Sequence, residues 1–396
     1  MTIRRSNLFL IALFCGHLIA ASLAFGSNGY WVIPAQMSVS RPFHRTALLP
    51  NGKVLATGGW VSPDTAEIYD PDTNVWTAAA NMIYSHSEHT ATVLPDGKIL
   101  VAGGTPDPVS MPTDKAEVYD WATNTWTPAA NMNSARTGHA ATLLSNGTVL
   151  VTGSWGDASA EIYDPTANTW TAVPNMNTAR DYHTATRLKN GKVLVVGGRS
   201  NTADLFDPDT KTWTMVASLD SSLFGHTAAL LPDGKVLVAG GVITSSGTSI
   251  NAAQVYDPAA NTWAAIPDMH SIRSFFTATP FADGTVLMSG GFIGPQSFNV
   301  ANNSEVYDPA TNTWVNFMDM PDVSSHNTAT LLSNGQVLVI SGKSYWTELR
   351  PPEAAPSSNT GLDQVLAATS SKEVLLYKLG STALKNPLSG ILLLLE

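Results

Sequence analysis

The residues best suited to chemistry recur at equivalent places along this chain. Five histidines form one set: His44, His89, His139, His183 and His226. Four arginines, each three residues before the histidine position, form the other: Arg41, Arg136, Arg180 and Arg273. Imidazoles are common metal ligands, and guanidinium groups bind anions. A zinc ion, however, needs ligands about 2 Å away, whereas side chains related by a repeat point from separate sectors. We therefore expect a repeated structural hydrogen bond from each histidine, and neither a metal nor a cofactor.

A pair of Asn or Asp followed by Gly marks each repeat. Its glycines lie 43 to 51 residues apart, and apolar runs flank each pair, as in HTATVLPDGKILVAGG at 89–104. A type I′ turn needs two residues with positive φ, so this pattern is a strong β-hairpin signal. The seven pairs are Asn51-Gly52, Asp96-Gly97, Asn146-Gly147, Asn190-Gly191, Asp233-Gly234, Asp283-Gly284 and Asn334-Gly335.

A second hairpin follows each of the first six pairs. Its sequence is AEIYDPDTNVWT at 66–77, and the step from Asp to Trp is six residues in every copy, from Asp70–Trp76 to Asp308–Trp314. The Asp is placed to accept hydrogen bonds from backbone N–H groups two residues on, and the Asn before Trp tolerates positive φ. Each repeat therefore predicts four antiparallel strands, named a to d. Acidic residues two before the strand-c aromatic recur as well, which favours a structural role: Glu67, Glu117, Glu161, Asp204 and Glu305.

The repeat resembles the kelch motif. A Gly-Gly pair ends strand b in five repeats, Tyr-Asp lies on strand c and Trp on strand d, over residues 31 to about 342. Two repeats depart from it, with Gly153-Ser154 and Ser341-Gly342. The resemblance implies an all-β protein, a β-propeller whose blades surround a central channel. Small residues two positions after the histidine position suit crowded inner strands: Thr46, Ala91, Ala141, Ala185, Ala228, Ala278 and Ala329.

The number of blades depends on both ends of the repeat array. The seventh repeat has strands a and b but lacks the Tyr-Asp…Trp unit. Segment 29–37, with Trp31, supplies a matching strand d, and KEVLLYKL at 372–379 a strand c. We predict seven blades closed in this way, since closure removes exposed sheet edges; six blades are the alternative. The expected hairpin units lie near 44–76, 89–126, 139–170, 183–213, 226–263, 276–314 and 327–379 with 29–37, in one domain spanning 25–396.

Two faces are expected to differ. The a–b and c–d turns are short and uniform, whereas the b–c and d–a loops on the other face vary, which favours a binding surface there. The resemblance suggests that Arg41, Arg136, Arg180 and Arg273 form an anion or polar-ligand clamp at the pocket mouth; the alternative is that they bind loop carbonyls between blades. Aromatic residues near this rim could stack on sugars or pack between loops: Trp60, Trp155, Tyr182, Phe224, Phe275 and Phe292.

Two classes of function follow. Galactose oxidase and related copper-radical oxidases share a seven-bladed kelch domain, but they require a cysteine, and Cys15 is the only one in this chain. Other propeller enzymes, including mutarotases and lyases, would use residues such as His86, Glu88 and Asp181, yet no recognisable acid–base set is present. We expect no catalytic residues. A non-catalytic module that binds a polysaccharide or a protein is the leading hypothesis, with a carbohydrate-active enzyme as the alternative.

The N-terminal segment predicts export. Arg4 and Arg5 precede an apolar run from Leu8 to Leu23, and Ser22 and Ala24 suit cleavage after Ala24, so 1–24 reads as a signal peptide. Cleavage would remove Cys15 and change the net charge from −10 to −12, since Arg4 and Arg5 leave. This acidic balance disfavours nucleic acid and anionic membranes as partners. We expect a secreted or periplasmic monomer whose partner is a glycan or a protein.

Overall fold

The computed structural model describes residues 30–293, 299–317, 319–321, 326–341 and 374–378. The expected signal peptide at 1–24 lies outside these residues. So do two further segments of the sequence: 343–371, the expected long b–c loop with Tyr345, Trp346 and Arg350, and the apolar 388–396. The described residues form β-strands and turns without an α-helix, and a search of them finds no helix able to cross a membrane.

The strands are short and follow one another at regular intervals. The first seventeen are β1 (Tyr30–Val32), β2 (Arg45–Leu48), β3 (Val54–Thr57), β4 (Ala66–Asp70), β5 (Val75–Ala78), β6 (Thr90–Val93), β7 (Ile99–Ala102), β8 (Ala116–Asp120), β9 (Thr125–Pro128), β10 (Ala140–Leu143), β11 (Val149–Ser154), β12 (Asp157–Asp164), β13 (Thr169–Val173), β14 (Thr184–Arg187), β15 (Val193–Val196), β16 (Ala203–Asp207) and β17 (Thr212–Val216). The others are β18 (Leu223–Phe224), β19 (Thr227–Leu230), β20 (Val236–Ala239), β21 (Val242–Ile243), β22 (Thr248–Ser249), β23 (Ala253–Asp257), β24 (Thr262–Ile266), β25 (Thr277–Pro280), β26 (Val286–Ser289), β27 (Phe292–Ile293), β28 (Asn299–Val300), β29 (Ser304–Asp308), β30 (Thr313–Asn316), β31 (Thr328–Leu331), β32 (Val337–Ile340) and β33 (Val374–Lys378).

Seven four-stranded antiparallel sheets form the blades. Blades 1 to 4 are β2–β5, β6–β9, β10–β13 and β14–β17. Blade 5 is β19-β20-β23-β24, and blade 6 is β25-β26-β29-β30. Two small sheets, β18-β21-β22 and β27-β28, lie in the long b–c insertions and the adjoining d–a loop. The all-β propeller predicted from the repeats is confirmed.

The blades follow one another around a closed ring. Each innermost strand packs against the innermost strand of the next blade, in the order β2, β6, β10, β14, β19, β25 and β31, and β31 packs against β2. Blade 7 combines distant parts of the chain in the order β1-β33-β32-β31, with Trp31 opposite Tyr377. This arrangement agrees with the seven-blade interpretation and with Trp31 as part of its strand d.

The core lies between blades. Strand b is fully buried in every blade, as in β3 and β7, because neighbouring blades cover both faces of each sheet. One such cluster joins Leu55 of blade 1 to Val101, Tyr119 and Trp126 of blade 2. Long apolar runs in strand b, rather than alternating ones, follow from this two-sided burial.

The a–b hairpins form at the predicted places but with a different turn. The Gly52 N–H donates to the Leu49 carbonyl, and Leu49 N–H to the Lys53 carbonyl. Gly52 has a φ of 82°, whereas Asn51 is not among the positive-φ residues, so the predicted type I′ turn is wrong. A wider loop with a single left-handed glycine takes its place. Asn51 accepts a hydrogen bond from Lys53 N–H at 3.1 Å, which explains the Asn or Asp at this position.

The repeated Tyr, Asn and Trp are scaffold residues, as predicted. In blade 2 the Tyr119 hydroxyl donates to Asn124 Oδ1 at 2.9 Å, and Asn124 has a φ of 52°. The same Oδ1 accepts from Ala80 N–H of the preceding blade at 2.9 Å, and Trp126 Nε1 donates to the Ala80 carbonyl at 2.9 Å. Each outer hairpin is thereby tied to the blade before it.

Candidate functional site

The four repeated arginines lie inside the blades. Arg136 is 1% exposed, and its Nε donates to Glu161 Oε1 at 2.9 Å. Its Nη1 donates to the carbonyls of Gly153 and Ser159, at 3.0 and 3.1 Å, and its Nη2 to Ser159 Oγ at 2.9 Å. The guanidinium therefore joins the end of strand b to the beginning of strand c within one blade.

The other three arginines repeat this arrangement. Arg41 pairs with Glu67 at 3.1 Å, Arg180 with Asp204 at 2.8 Å and Arg273 with Glu305 at 3.1 Å. All of these arginines are buried, and each also donates to carbonyls that flank strand b and strand c. The clamp proposed from the sequence is thus wrong: these guanidinium groups are used by the scaffold, and within single blades rather than between them. The acidic residues are scaffold for the same reason.

The five histidines connect neighbouring blades. Nε2 of each one is hydrogen-bonded to a threonine of the preceding blade, as for His89 and Thr57 at 2.8 Å and His183 and Thr152 at 2.7 Å. Burial lowers the pKa of His44 and His139 to about 3. They are therefore neutral at pH 7. The predicted repeated hydrogen bond is confirmed, and it holds blades together. No cluster of metal-ligating side chains was found in the described part of the chain.

A cavity of about 380 Å³ opens where the inner strands begin, on the face with the variable loops. We call it the axial cavity. Its lining includes the residue immediately before the histidine position in every blade. These seven residues, called the axial residues, are Phe43, Glu88, Gly138, Tyr182, Gly225, Phe275 and His326.

The axial residues share one backbone conformation. Their φ angles all lie between 48° and 61°. Five of the seven neighbouring pairs are also linked head to tail: Glu88 N–H donates to the Phe43 carbonyl at 3.0 Å, and the Phe275 N–H donates to the Gly225 carbonyl at 2.7 Å. Equivalent bonds run from Tyr182, Gly225 and His326 to the preceding axial residue. The d–a loops thus converge in a ring around the axis.

This conformation favours glycine. A residue with a Cβ in the left-handed region costs on the order of 1–2 kcal/mol. Gly138 and Gly225 avoid that cost, yet the other five blades carry large side chains at the same place. Strained residues that a fold retains commonly serve a site. Among the described residues, the large side chains at the five non-glycine axial positions therefore give the strongest structural evidence for a functional site.

Polar groups meet on one side of the axial cavity. The Tyr182 hydroxyl donates to Glu88 Oε2 at 2.8 Å, and Thr137 Oγ1 donates to the same oxygen at 3.1 Å. Burial, and then the charge of Glu88, raise the pKa of Tyr182, so its hydroxyl stays protonated. Arg45, the first residue of β2, also lines the cavity, and its Nη1 donates to the His44 carbonyl at 3.0 Å.

Aromatic rings form another wall. The His326 ring lies between Phe43 and Phe275, with centroids 4.3 and 4.8 Å away. The Tyr182 ring meets Phe275 edge-on at 5.5 Å. Burial lowers the pKa of His326 to about 3, so this imidazole is neutral at pH 7. The cavity therefore combines apolar ring faces with a localised set of polar groups.

The predicted aromatic residues fall in three different places. Tyr182 lines the axial cavity. Trp60 packs against Phe43, with ring centroids 4.2 Å apart, and is not itself among the residues that line the cavity. Trp155 lies at the tip of the β11–β12 hairpin and is 79% exposed. These three residues are not brought together in one site.

The residues weighed for enzymatic roles are also dispersed. His86 takes the arginine position of blade 2, and its Nε2 lies 3.3 Å from Glu117 Oε1, the equivalent scaffold acid. Asp181 is buried and accepts from Arg199 Nε at 2.9 Å. Glu88 alone of this group reaches the axial cavity. Phe43, Arg45 and His326 are absent from the sequence-based candidates. For Phe43 and His326 the usable signal is that the residue before the histidine position differs from blade to blade. For Arg45 it is that the other blades carry Thr or Ala at the equivalent position.

Fold and repeat together define the class of this protein. A kelch motif model matches residues 41–83, 88–133, 135–177 and 224–270. The chain is therefore a kelch-repeat β-propeller. No curated protein sequence matches it.

Solved structures share the fold. One is a fungal alcohol oxidase of the AA5 family in complex with copper, 19% identical, with a TM-score of 0.71, covering 88% of this chain and 76% of the oxidase. Another is YjhT, 15% identical, with a TM-score of 0.57, covering 72% of this chain and all of YjhT. At these identities the likeness extends to the fold alone.

Proposed function

We propose that this protein is a non-catalytic binding module that holds one end of a glycan in the axial cavity. The observation that carries the proposal is the set of five large side chains kept in a conformation that favours glycine. Blades 3 and 5 carry glycine at the same position, so the scaffold does not require a large side chain there. Because all five large side chains line one cavity, we attribute their retention to ligand binding.

The chemistry of the cavity supports a sugar as ligand. Its volume of about 380 Å³ lies in the range of small-molecule sites, which is roughly 300–1,000 Å³. The half-buried Phe275 offers aromatic surface to the apolar face of a sugar ring, whereas Phe43 is buried and supports His326 from behind. Glu88, Tyr182 and Arg45 supply hydrogen-bonding groups for hydroxyls. A protein partner would instead need a standard interface, about 800 Å² on each side.

Binding can be tested with the mature chain, residues 25–396, on a glycan array followed by calorimetry. The informative variant is Phe275→Gly, because it copies blades 3 and 5, relieves the left-handed strain and removes a ring from the cavity. We expect it to stay folded but to lose affinity about tenfold or more. Its melting temperature should fall, because the ring contacts with Tyr182 and His326 are lost. Trp155→Ala, which alters an exposed ring outside the cavity, is the matched control and should bind normally.

The opposite results are equally clear. If no glycan binds, the proposal is wrong. If a bound sugar is recovered in a changed form, as seen by NMR of its anomeric signals, the carbohydrate-active enzyme becomes the better description.

Export and a monomeric state belong to the same proposal. Export rests on the sequence: Arg4 and Arg5, the apolar run up to Leu23, and the cleavage site after Ala24. Expression with the full N-terminus should release a protein that begins at Phe25, as read by mass spectrometry, and that elutes as a monomer. Retention of residues 1–24 in the mature protein would contradict this part.

A further inference from the structure

Arg45 is a cation with spare hydrogen-bonding capacity inside the axial cavity. A guanidinium has five N–H donors. Among the described residues, the side chain of Arg45 makes one hydrogen bond, from Nη1 to the His44 carbonyl at 3.0 Å. Desolvation lowers the pKa of Arg45, and the nearby Glu88 charge opposes that effect. An arginine remains protonated at neutral pH even so.

Glu88 presents the complementary acceptor. Both described hydrogen bonds of its carboxylate, from Tyr182 and Thr137, go to Oε2. Oε1 therefore remains available to a group in the cavity. Thr137 of blade 3 and Tyr182 of blade 4 therefore hold the carboxylate of Glu88, which itself belongs to blade 2.

Arg45 and Glu88 line the same cavity without pairing. They belong to neighbouring blades, yet no N···O distance of 4.0 Å or less joins them. The cavity thus holds one positive and one negative side chain apart from each other. Its four histidines add no charge at pH 7. Burial lowers the pKa of His139 and His326 to about 3, that of His226 to about 4 and that of His183 well below its usual range.

We infer that Arg45 and Glu88 together receive two neighbouring hydroxyl groups of a neutral sugar. This inference rests on the proposed function and specifies its ligand. A hydroxyl can accept from an Arg45 N–H, and the adjacent one can donate to Glu88 Oε1. A carboxylated sugar would bind Arg45 but would bring a second negative charge towards Glu88, which disfavours it in a half-buried site. Arg45 and Glu88 are thus the residues that set specificity for uncharged sugar ends.

The test compares matched sugars that differ only at C6, which is a hydroxymethyl group in the neutral glycoside and a carboxylate in the uronide. Methyl glucoside, methyl galactoside and methyl mannoside are titrated beside the corresponding methyl uronides. We expect at least one neutral glycoside to bind and its uronide to bind about tenfold more weakly, equivalent to about 1.4 kcal/mol. The affinity for the neutral glycoside should not depend on salt between about 0.02 and 0.5 M, because no net charge is neutralised on binding.

Variants of the pair sharpen the comparison. Glu88→Gln removes the repelling charge and should raise the affinity for the uronide until it equals or exceeds that for the neutral glycoside. Arg45→Met should weaken both ligands. Asp220→Asn removes one negative charge from an exposed position in the d–a loop before blade 5 and should leave the preference unchanged.

Three results would count against the inference in distinguishable ways. A wild-type protein that binds the uronide as well as the neutral glycoside overturns the inference and leaves the proposed function standing. An unchanged preference in a folded Glu88→Gln variant does the same. Absence of binding to every sugar overturns the proposed function and the inference with it. If Glu88→Gln fails to fold, the uronide comparison and the salt series on the wild type still decide.

Discussion

The Tyr182 hydroxyl donates a 2.8 Å hydrogen bond to Glu88, although the two residues are 94 positions apart and belong to blades 4 and 2. Gly138 of blade 3 lies between them on the ring. A Cβ at Gly138 would lie 3.4 Å from two atoms of the Tyr182 ring. A Cβ alone would just touch that ring, but a side chain as large as those of the neighbouring axial residues would occupy the path by which Tyr182 reaches across blade 3.

Tyr182→Phe should lower the free energy of unfolding by about 1 kcal/mol, because it removes one partly buried hydrogen bond to a carboxylate. Urea unfolding followed by tryptophan fluorescence measures this change. Tyr84→Phe, at a half-buried tyrosine in the d–a loop before blade 2, serves as the control. Equal stabilities for Tyr182→Phe and the wild type would show that the cross-blade bond contributes nothing.

Gly225→Ala should destabilise the protein more than Gly156→Ala does. Both glycines have positive φ, 61° and 70° respectively, so each substitution introduces backbone strain of about 1 kcal/mol. A Cβ at Gly225 would also come within 2.8 Å of the Phe275 ring, whereas a Cβ at Gly156 meets nothing within 4 Å. Displacing Phe275 should add about 1 kcal/mol or more.

Thermal unfolding of these two variants, with binding of the ligand found on the glycan array, separates strain from displacement. Gly156→Ala should bind normally and Gly225→Ala weakly. If the two variants had the same melting temperature, Phe275 would be able to move away from the new methyl group without loss of stability.

Arg136→Met should be strongly destabilising, by about 3–5 kcal/mol, because it leaves Glu161 buried without its charged partner. The double variant with Glu161→Gln should recover part of that loss. Chemical denaturation of the single and double variants measures the coupling between the two residues. If Arg136→Met proved fully stable but unable to bind ligand, the result would contradict the scaffold role and would support the sequence-based hypothesis of an arginine clamp for a ligand.

Acid should destabilise the propeller below about pH 6.5 through its buried histidines. The pKa of His44 and His139 is lowered to about 3 by burial, whereas an unfolded histidine titrates near 6.5. Between these values the unfolded chain binds more protons than the folded one. Each such histidine then contributes a loss of about 1.4 kcal/mol per pH unit as the pH falls.

Melting temperatures between pH 7.5 and 5 follow this effect. His139→Asn, which copies Asn327 at the equivalent position of blade 7, should make the decline shallower. Met215→Asn, at a position that is 55% exposed and carries no titratable group, should leave the decline unchanged. A stability that is flat across this range would contradict the assignment of the inner histidines as neutral scaffold groups.

The scaffold could be read from the sequence because its contacts are repeated. Tyr119, Asn124 and Trp126 make the same bonds as their counterparts in other blades, and their spacing preserves that geometry. The turn after strand a was misjudged because Asn-Gly fits two turn types, and the position of the strand ends decides between them. The arginines were misjudged because the sequence shows neither their burial nor their partners.

The candidate site could be read only in part, since its residues are defined by differences between blades. Tyr182 was chosen for its aromatic ring, but its bond to Glu88 depends on the absence of a side chain at Gly138. Arg45 lies one residue after the histidine position, where the other six blades carry Thr or Ala, so it is marked by a departure from the repeat rather than by a motif. Which blades face each other across the axis is a property of the closed ring, and no local motif encodes it.

The pairing of β1 with β33 determines when the fold can be finished. β1 is synthesised before every blade, but its partner strand comes after all of them, so closure must await the last blade. Contacts between such distant segments form slowly, because a long loop must first be closed. A circular permutant that places Tyr30–Val32 directly after β33 would turn this step into a local hairpin. Refolding of the permutant should accordingly be faster, with the native structure unchanged.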